Sequence, residues 1–358
     1  MRQRKLPAAA TIRVTRPLRL DLAGGWSDTP PICHAVGGCV LNAAVTLEGR
    51  EPVVAEVTPI EAREVRVESV DLGRKGVLTK REEIYGAQDP HDWCALVKSA
   101  LAVTGYEFKE GGLSIRISAD VPKGSGMGTS SILGSALIEA LLLAKPHGER
   151  GVTCGRVAKL TLEMEQVMQT GGGWEDQAGA LFPGVKLLTT KKGSSQEIRV
   201  RRLSARAESD FAKFIEERGV LFFTGQKRMA RNVLRGVLNF YAENPDGIAH
   251  EIISVLKKDA TLAFRALEDG DYATFTACLN RYWLNKKALD PGSTNPRVES
   301  IIARIAPWTD AVSLAGAGGG GFLFALAKSR AAKARMLKVL ASAGGDGRSY
   351  RFKIGKSE

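Results

Sequence analysis

Apolar and polar residues alternate along several short stretches in the first third of the chain, which is the pattern of half-buried β-strands. In one such stretch, Leu113, Ile115 and Ile117 lie on the same face. Residues 11–15 alternate in the same way and lead into a second apolar stretch. Further strands are predicted at residues 38–45, 52–57 and 63–67. The N-terminal part of the chain is therefore expected to be rich in β-structure.

Other stretches repeat apolar residues at the spacing of an α-helix. Residues 92–102 and 153–169 each carry one apolar face, and residues 132–144 are almost wholly apolar, as in a buried helix. Later in the chain, helices are predicted at 228–240, 250–267 and 272–289, and two apolar strands joined by glycines at 312–326. The fold class predicted from this mixture is α/β (α+β).

Chain length and composition predict two globular domains. The chain has 358 residues, 44% of them hydrophobic and 25% charged, and a domain averages roughly 150 residues. After residue 191 the sequence becomes more basic and helical. We therefore expect a boundary near residues 185–195, with one domain at 1–190 and another at 191–358.

Cysteine usage and hydropathy indicate the compartment. The five cysteines are odd in number and form no Cys-x-x-Cys pair, so neither a disulfide framework nor a zinc site is predicted. The basic start is not followed by the apolar region of a secretory signal, and no apolar run is long enough to span a membrane. The sequence thus predicts a cytoplasmic enzyme. The cysteines expected to be small core residues are Cys33, Cys39, Cys94, Cys154 and Cys278.

The positive charge raises the possibility of a nucleic-acid partner. The net charge is +12 and the pI is near 9.5, but aromatic residues make up only 6% of the chain and no recognition motif is present. The most basic segment, residues 191–206, alternates with apolar residues, which favours an edge strand with a solvated basic face over a binding stripe. A basic protein also attracts an anionic nucleotide.

A glycine-rich segment at residues 122–131 separates a predicted strand from a buried helix. Gly124, Gly126 and Gly128 allow the backbone to approach a ligand closely, and the helix that follows directs free N–H groups toward it. A phosphate is the natural ligand of such a site. The spacing fits neither the Walker A nor the Rossmann pattern, and an ordinary glycine-rich turn remains the alternative.

Three acidic residues are candidates for chemistry, and each has a structural alternative. Asp28 lies in a rigid tip after a strand and could equally be a surface aspartate in a turn. Asp176 follows three glycines at a predicted helix start, where a negative charge is also favoured for structural reasons. Glu165 precedes Asp176 by eleven residues and could be a plain exposed helix residue.

Three segments together resemble the GHMP kinases, the family that includes galactokinase, homoserine kinase and mevalonate kinase. Residues 122–131 resemble the family's second motif, Pro-x-Gly-x-Gly-x-Gly-Ser/Thr-Ser. Residues 16–31 resemble the first motif, although Gly25 and Trp26 replace its Glu-His pair. Residues 312–326 resemble the third. The sequence Gly-Gly-Trp-Ser-Asp-Thr-Pro-Pro is similar to the L-fucokinase branch, and the resemblance extends over nearly the whole chain.

The resemblance implies a two-domain GHMP kinase fold, with a ribosomal S5-like N-terminal domain and a ferredoxin-like C-terminal domain. It implies ATP and Mg²⁺ as cofactors and a small-molecule sugar as substrate, with neither a nucleic-acid nor a membrane partner. The oligomeric state stays open. The implied reaction is phosphorylation of the anomeric hydroxyl of L-fucose. The alternatives are a heptose 7-phosphate kinase of the same family, or a non-enzymatic nucleic-acid-binding protein with an S5-like domain.

The resemblance also assigns roles to residues. Asp176 and Arg19 are the implied catalytic pair, and Ser130 and Glu165 are the implied metal ligands. The implied nucleotide-binding residues are Pro122, Lys123, Gly124, Ser125, Gly126, Met127, Gly128, Thr129 and Ser130. The implied sugar-binding residues are Asp28, Gly25, Trp26, Gly172 and Gly173.

Overall fold

A computed structural model describes most of the chain, and it confirms the predicted mixture of helices and strands. The described residues are 10–86, 89, 92–108, 111–145, 151–226, 230–243 and 246–355. The basic start at residues 1–5 lies outside them. Among the helices that the structure describes, none is long and apolar enough to cross a bilayer.

The elements follow one another along the chain in this order. The strands are β1 (Ile12–Arg16), β2 (Leu18–Ala23), β3 (Cys39–Leu47), β4 (Val53–Ile60), β5 (Val65–Ser69), β6 (Arg74–Leu78), β7 (Gly112–Ala119), β8 (Val185–Thr189), β9 (Arg199–Arg202), β10 (Gly219–Phe223), β11 (Thr309–Leu314), β12 (Phe322–Ala327), β13 (Arg348–Tyr350) and β14 (Phe352–Ile354). The helices are α1 (Ile32–Val36), α2 (Arg81–Tyr85), α3 (Ala95–Val103), α4 (Thr129–Leu143), α5 (Cys154–Val167), α6 (Glu175–Leu181), α7 (Ala205–Arg218), α8 (Ala230–Glu243), α9 (Ile248–Asp269), α10 (Tyr272–Leu289), α11 (Pro296–Ile305) and α12 (Arg330–Ala341), with 3-10 turns at Pro291–Ser293 and Ala306–Trp308.

The first of two compact units comprises the described parts of residues 1–16, 52–120 and 130–170. Its sheet has the strand order β1-β4-β7-β5-β6, and only the β5–β7 pairing in it is parallel. The alternation predicted for β7 is confirmed, because Ile115 and Ile117 are buried while Arg116 between them is exposed. Predicted helix 92–102 begins later, at Ala95, because the Asp92 carboxylate accepts the Cys94 N–H and so forms a turn ahead of the helix.

The second unit comprises the described parts of residues 17–51, 121–129 and 171–358. One sheet has the order β14-β3-β8-β9, with β2 paired to β3, and the other has the order β11-β12-β10-β13. Phe222, Trp283 and Leu314 belong to the hydrophobic core around the second sheet. Every residue of β2 is buried, so the charged side chains of this strand must find partners in the interior.

Several predicted features can be compared with these two units. The basic segment does form an edge strand, β9, whose three arginines are exposed, and α10 spans the predicted residues 272–289. The expectation for Cys154 is wrong, because it is exposed at the start of α5, whereas the other four cysteines are buried and all five are free. Each compact unit is made of several separate sequence segments, so the units do not test a single domain boundary. The boundary near residue 190 therefore stays a prediction.

Candidate active site

The glycine-rich segment has the backbone that its composition predicts. Gly124, Gly126 and Gly128 have φ values of +72°, +74° and +73°, in the left-handed region that side chains disfavour. Between them, the Ser125 hydroxyl bonds to the Thr129 hydroxyl at 3.0 Å. Because α4 begins at Thr129, the segment leads directly into the free N–H groups of a helix start, as a phosphate site requires.

A second glycine loop, residues 315–321, packs against the first. The Phe322 N–H donates to the Ser125 carbonyl at 2.9 Å. A Cβ atom on Gly126 would collide with the Ala315 carbonyl, and one on Gly321 would collide with the Ser125 carbonyl. The glycines of both loops are therefore needed for backbone-to-backbone contact, which is more than a simple hairpin would require.

The two implied catalytic residues form an ion pair beside this segment. The Arg19 guanidinium on β2 donates to Asp176 Oδ1 through Nε at 2.8 Å and through Nη2 at 2.5 Å. A Cβ atom on Gly128 would lie 2.9 Å from the Asp176 Cβ and Cγ atoms. The Asp176 side chain is 34% exposed while that of Arg19 is only 4% exposed. A carboxylate that solvent can reach therefore lies at the edge of the glycine-rich segment.

The electrostatics of the pair keep Arg19 charged. Burial by itself lowers the pKa of its guanidinium, but Asp176, Glu175 and Asp21 outweigh burial and raise the pKa well above its ordinary value. The neighbouring Glu175 carboxyl has its pKa raised well above the ordinary value, chiefly by burial. Glu175 Oε1 lies 3.7 Å from Arg19 Nε, so three carboxyl groups surround this one guanidinium.

Asp28 holds the helix that carries Asp176. Its Oδ2 atom accepts the backbone N–H of Glu175 at 3.0 Å, at the first residue of α6. The carboxylate also lies against Gly173, where a Cβ atom would collide with it. Burial raises the pKa of Asp28 to about 6, although the Glu175 N–H acts in the opposite direction. The implied sugar ligand thus also has a structural role.

The Asp28→Asn variant should be more stable than the wild type at neutral pH, because an amide avoids the buried charge and can still accept the Glu175 N–H. A folded-state pKa of about 6 against an ordinary value of 3.8 means that this group's contribution to stability is lost as pH rises through 6. The gain in unfolding free energy is expected to reach about 3 kcal/mol at pH 7.5 and less than about 1 kcal/mol at pH 4.

Denaturant unfolding at the two pH values measures that gain. Since the carboxylate is also the implied sugar ligand, the KM for the sugar should rise more than the KM for ATP in the same variant. An equal gain at both pH values would contradict the account of the Asp28 charge, and equal changes in the two KM values would leave Asp28 a purely structural residue.

The other implied sugar residues lie around the same tip. Trp26 is buried and has φ +76°, an uncommon conformation for a bulky residue. A Cβ atom on Gly25 would collide with the Tyr282 hydroxyl, so only glycine fits at this position. Gly172 and Gly173 are partly buried in the turn before α6.

The implied metal ligands belong to the first unit. Glu165 on α5 is buried and accepts a hydrogen bond from the Ser131 hydroxyl, whereas Ser130 is exposed. A carboxylate and hydroxyls are the oxygen donors that Mg²⁺ prefers, so the donor chemistry fits. Within the described residues, no group of three or more His, Cys, Asp or Glu could hold a metal. Oxygens of a bound phosphate would have to complete the coordination, and the ligand pair stays a prediction.

Sequence reasoning missed three buried polar residues near Arg19. Asp21 on β2, and Tyr282 and Lys286 on α10, are all almost fully buried. The sequence gives one indication for Asp21, because an acidic residue inside an otherwise apolar strand must have a charged or hydrogen-bonding partner if it is buried. The spacing of Tyr282 and Lys286, four residues apart on one helix face, carried no signal about their partner.

Two family models match the chain. The model of the GHMP kinases N terminal domain matches residues 95–184, and the model of the GHMP kinases C terminal matches residues 263–346. The solved structure of a D-glycero-D-manno-heptose 1-phosphate kinase from Bacteroides thetaiotaomicron shares the fold. It has a TM-score of 0.72 at 20% identity, with 97% of each chain covered.

Curated relatives match along most of the chain. The L-fucokinase/L-fucose-1-P guanylyltransferase of Bacteroides fragilis is 32% identical over 90% of this chain, and the bifunctional fucokinase/GDP-fucose pyrophosphorylase of Arabidopsis thaliana is 36% identical over 91%. The chain spans only 35% and 30% of their respective lengths. The D-glycero-alpha-D-manno-heptose 7-phosphate kinase of Campylobacter jejuni is 30% identical, with 88% of each chain covered.

Proposed function

This chain belongs to the GHMP kinase family, and we propose that it transfers the γ-phosphate of ATP to the anomeric hydroxyl of L-fucose, giving L-fucose 1-phosphate and ADP. The observation that carries the proposal is the Asp176–Arg19 pair at the edge of the glycine-rich segment. It combines a proton acceptor, a fixed cation and a phosphate-binding backbone, which are the parts that phosphoryl transfer needs.

Each residue would contribute by position and charge. The backbone N–H groups of residues 123–130 would bind the phosphates, and Arg19 would stabilise negative charge on the transferring group. Asp176 would accept the proton of the attacking hydroxyl. Ser130 and Glu165 would hold Mg²⁺, which when bound would neutralise charge on the β- and γ-phosphates. The sugar would contact Asp28, Gly25, Trp26, Gly172 and Gly173.

L-fucose is favoured by the tip sequence and by the two fucokinase relatives. The nearly apolar surface of Trp26 suits a deoxy sugar, because a methyl group in place of a hydroxyl needs no hydrogen-bond partner. ATP and the sugar are the proposed partners, and the cytoplasm is the proposed location. The basic segment forms an edge strand with exposed arginines. Charged residues on an edge strand prevent pairing with the strand of another chain, so the positive charge of this segment has a structural explanation, which disfavours the nucleic-acid alternative.

A heptose 7-phosphate is the second candidate substrate, and one observation favours it. The Campylobacter jejuni heptose kinase is 30% identical to this chain, with 88% of each chain covered. The positive net charge would also suit a phosphorylated sugar.

A substrate panel separates the two candidates. ADP release is measured with ATP, Mg²⁺ and equal concentrations of L-fucose, D-glycero-D-manno-heptose 7-phosphate, galactose and mevalonate. We expect the highest kcat/KM for L-fucose. A higher kcat/KM for the heptose phosphate than for L-fucose would replace the proposed substrate. If none of the four compounds supports ADP release, the proposed reaction is contradicted.

A further inference from the structure

Four hydrogen-bond donors surround the Asp21 carboxylate in the interior of the second unit. Its Oδ1 atom accepts Arg19 Nη1 at 2.9 Å and the Gly316 backbone N–H at 2.8 Å. Its Oδ2 atom accepts the Tyr282 hydroxyl at 2.7 Å and Lys286 Nζ at 3.2 Å. The side chain is 1% exposed. All four donors therefore converge on one carboxylate that water hardly reaches.

The four donors come from functionally different places. Arg19 belongs to the implied catalytic pair, and Gly316 belongs to the second glycine loop, which packs on the phosphate-binding segment. Tyr282 and Lys286 come from α10. Asp21 is thus hydrogen-bonded directly to the catalytic cation Arg19, to the second glycine loop and to α10.

The geometry divides the Arg19 guanidinium between two carboxylates. Nη1 points to Asp21, while Nε and Nη2 point to Asp176. A planar guanidinium held at both edges cannot rotate without breaking charge-assisted bonds. The Asp21 bond therefore determines which edge of Arg19 faces Asp176.

The charges around Asp21 balance. Lys286 is fully buried, donates also to the Leu314 carbonyl at 2.7 Å, and lies 4.7 Å from the centre of the Tyr282 ring. Burial by itself would raise the pKa of Asp21, but Lys286 and then Arg19 outweigh burial and lower it. Asp21 is therefore an anion, and it compensates a buried lysine as well as contacting Arg19.

We propose that Asp21 is a positioning residue for phosphoryl transfer, which orients the Arg19 guanidinium toward Asp176 and fixes the second glycine loop at Gly316. The inference rests on the proposed kinase function. The competing explanation is that Asp21 only neutralises Lys286, which would make its role purely structural. The two explanations predict different results when both charges are removed together.

The test compares Asp21→Leu with the double variant Asp21→Leu/Lys286→Met, because leucine has the branched shape of aspartate but no hydrogen-bond acceptor. The single variant leaves Lys286 without its anion, so we expect a lower melting temperature. The double variant removes both charges and should recover part of that loss. Its kcat should nevertheless stay about tenfold or more below the wild type, because Arg19 still lacks its Nη1 partner. The KM for the sugar should change less than kcat.

A second cycle asks whether Asp21 acts through Arg19. In an Arg19→Met background, adding Asp21→Leu should lower kcat by less than about twofold, because the group that Asp21 positions is already gone. A tenfold loss in both backgrounds would show independent action and overturn the inference. A folded double variant Asp21→Leu/Lys286→Met with wild-type kcat would overturn it too.

Failure of the inference and failure of the proposed function give different results. A wild-type protein that releases no ADP with any sugar would remove the kinase proposal before Asp21 is considered. A wild-type protein that turns over while the double variant keeps full kcat would remove only the positioning role.

Discussion

Replacing Asp176 with Asn should lower kcat by at least about 10², as the loss of a general base does, while the affinity for ATP stays nearly unchanged. An amide oxygen can still accept from Arg19, so the local geometry is expected to persist. What the amide cannot do is take the proton of the attacking hydroxyl. The measurement is kcat for L-fucose from ADP release, together with the Kd for ATP from calorimetry.

Asp310→Asn is the matched control for that experiment. Asp310 also pairs with an arginine, Arg218 at 3.6 Å, and its side chain is 35% exposed, against 34% for Asp176. It is not among the implied site residues, so kcat should stay within about twofold of the wild type. An Asp176→Asn variant as active as this control would remove Asp176 from the chemistry.

Gly128→Ala is expected to lower kcat/KM for ATP by at least about 10². The residue has φ +73°, and a left-handed conformation costs a non-glycine residue about 1–2 kcal/mol. The new Cβ would also lie 2.9 Å from the Asp176 Cβ and Cγ atoms, so either the loop or the carboxylate must move. Phosphate binding and proton transfer are damaged together, and initial rates at varied ATP concentration measure the combined loss.

Gly270→Ala is the control variant that separates the effect of backbone strain from the effect of displacing the loop or Asp176. Gly270 has the same φ of +73° at the end of α9, but a Cβ there would meet no atom within 4 Å. The control should lose about 1 kcal/mol of stability and keep its kcat/KM. Equal kinetic losses in the two variants would show that strain alone explains Gly128→Ala, and the proposed contact with Asp176 would then carry no function.

The sequence predicted those parts of the site that depend on local backbone. Alternate glycines before an apolar helix specify a left-handed loop and a helix start wherever they occur. In the same way, the arginines of residues 199–202 predicted an exposed strand edge. Glycine conformations and strand faces are set by neighbours in sequence, so no knowledge of the tertiary structure was needed.

Long-range contacts could not be predicted in this way. Asp21 and Lys286 are 265 positions apart, and nothing local indicates that a helix lysine is buried against a strand aspartate. Likewise, helix rotation decides whether Ser130 or Ser131 faces Glu165. The N–H bond from Glu175 to Asp28 spans 147 positions, so its capping role appears only once the chain has folded.

The strands missed by the sequence analysis have a related explanation. β13 and β14 have three residues each, which is too short for any periodicity to appear. β8 lies between β3 and β9, and its first four residues are all buried, so its sequence, Val-Lys-Leu-Leu-Thr, shows neither alternation nor an unbroken apolar run. Such strands are defined by the partners that they pair with, not by their own pattern.

Phosphorus NMR of the reaction with L-fucose, ATP and Mg²⁺ tests the central claim most directly. The account predicts one new sugar phosphate whose phosphorus couples to the anomeric proton, formed in equal amount to ADP, and formed at least about a hundredfold more slowly by the Asp176→Asn variant. Phosphate on a different hydroxyl, or ADP with inorganic phosphate and no sugar phosphate, would contradict it.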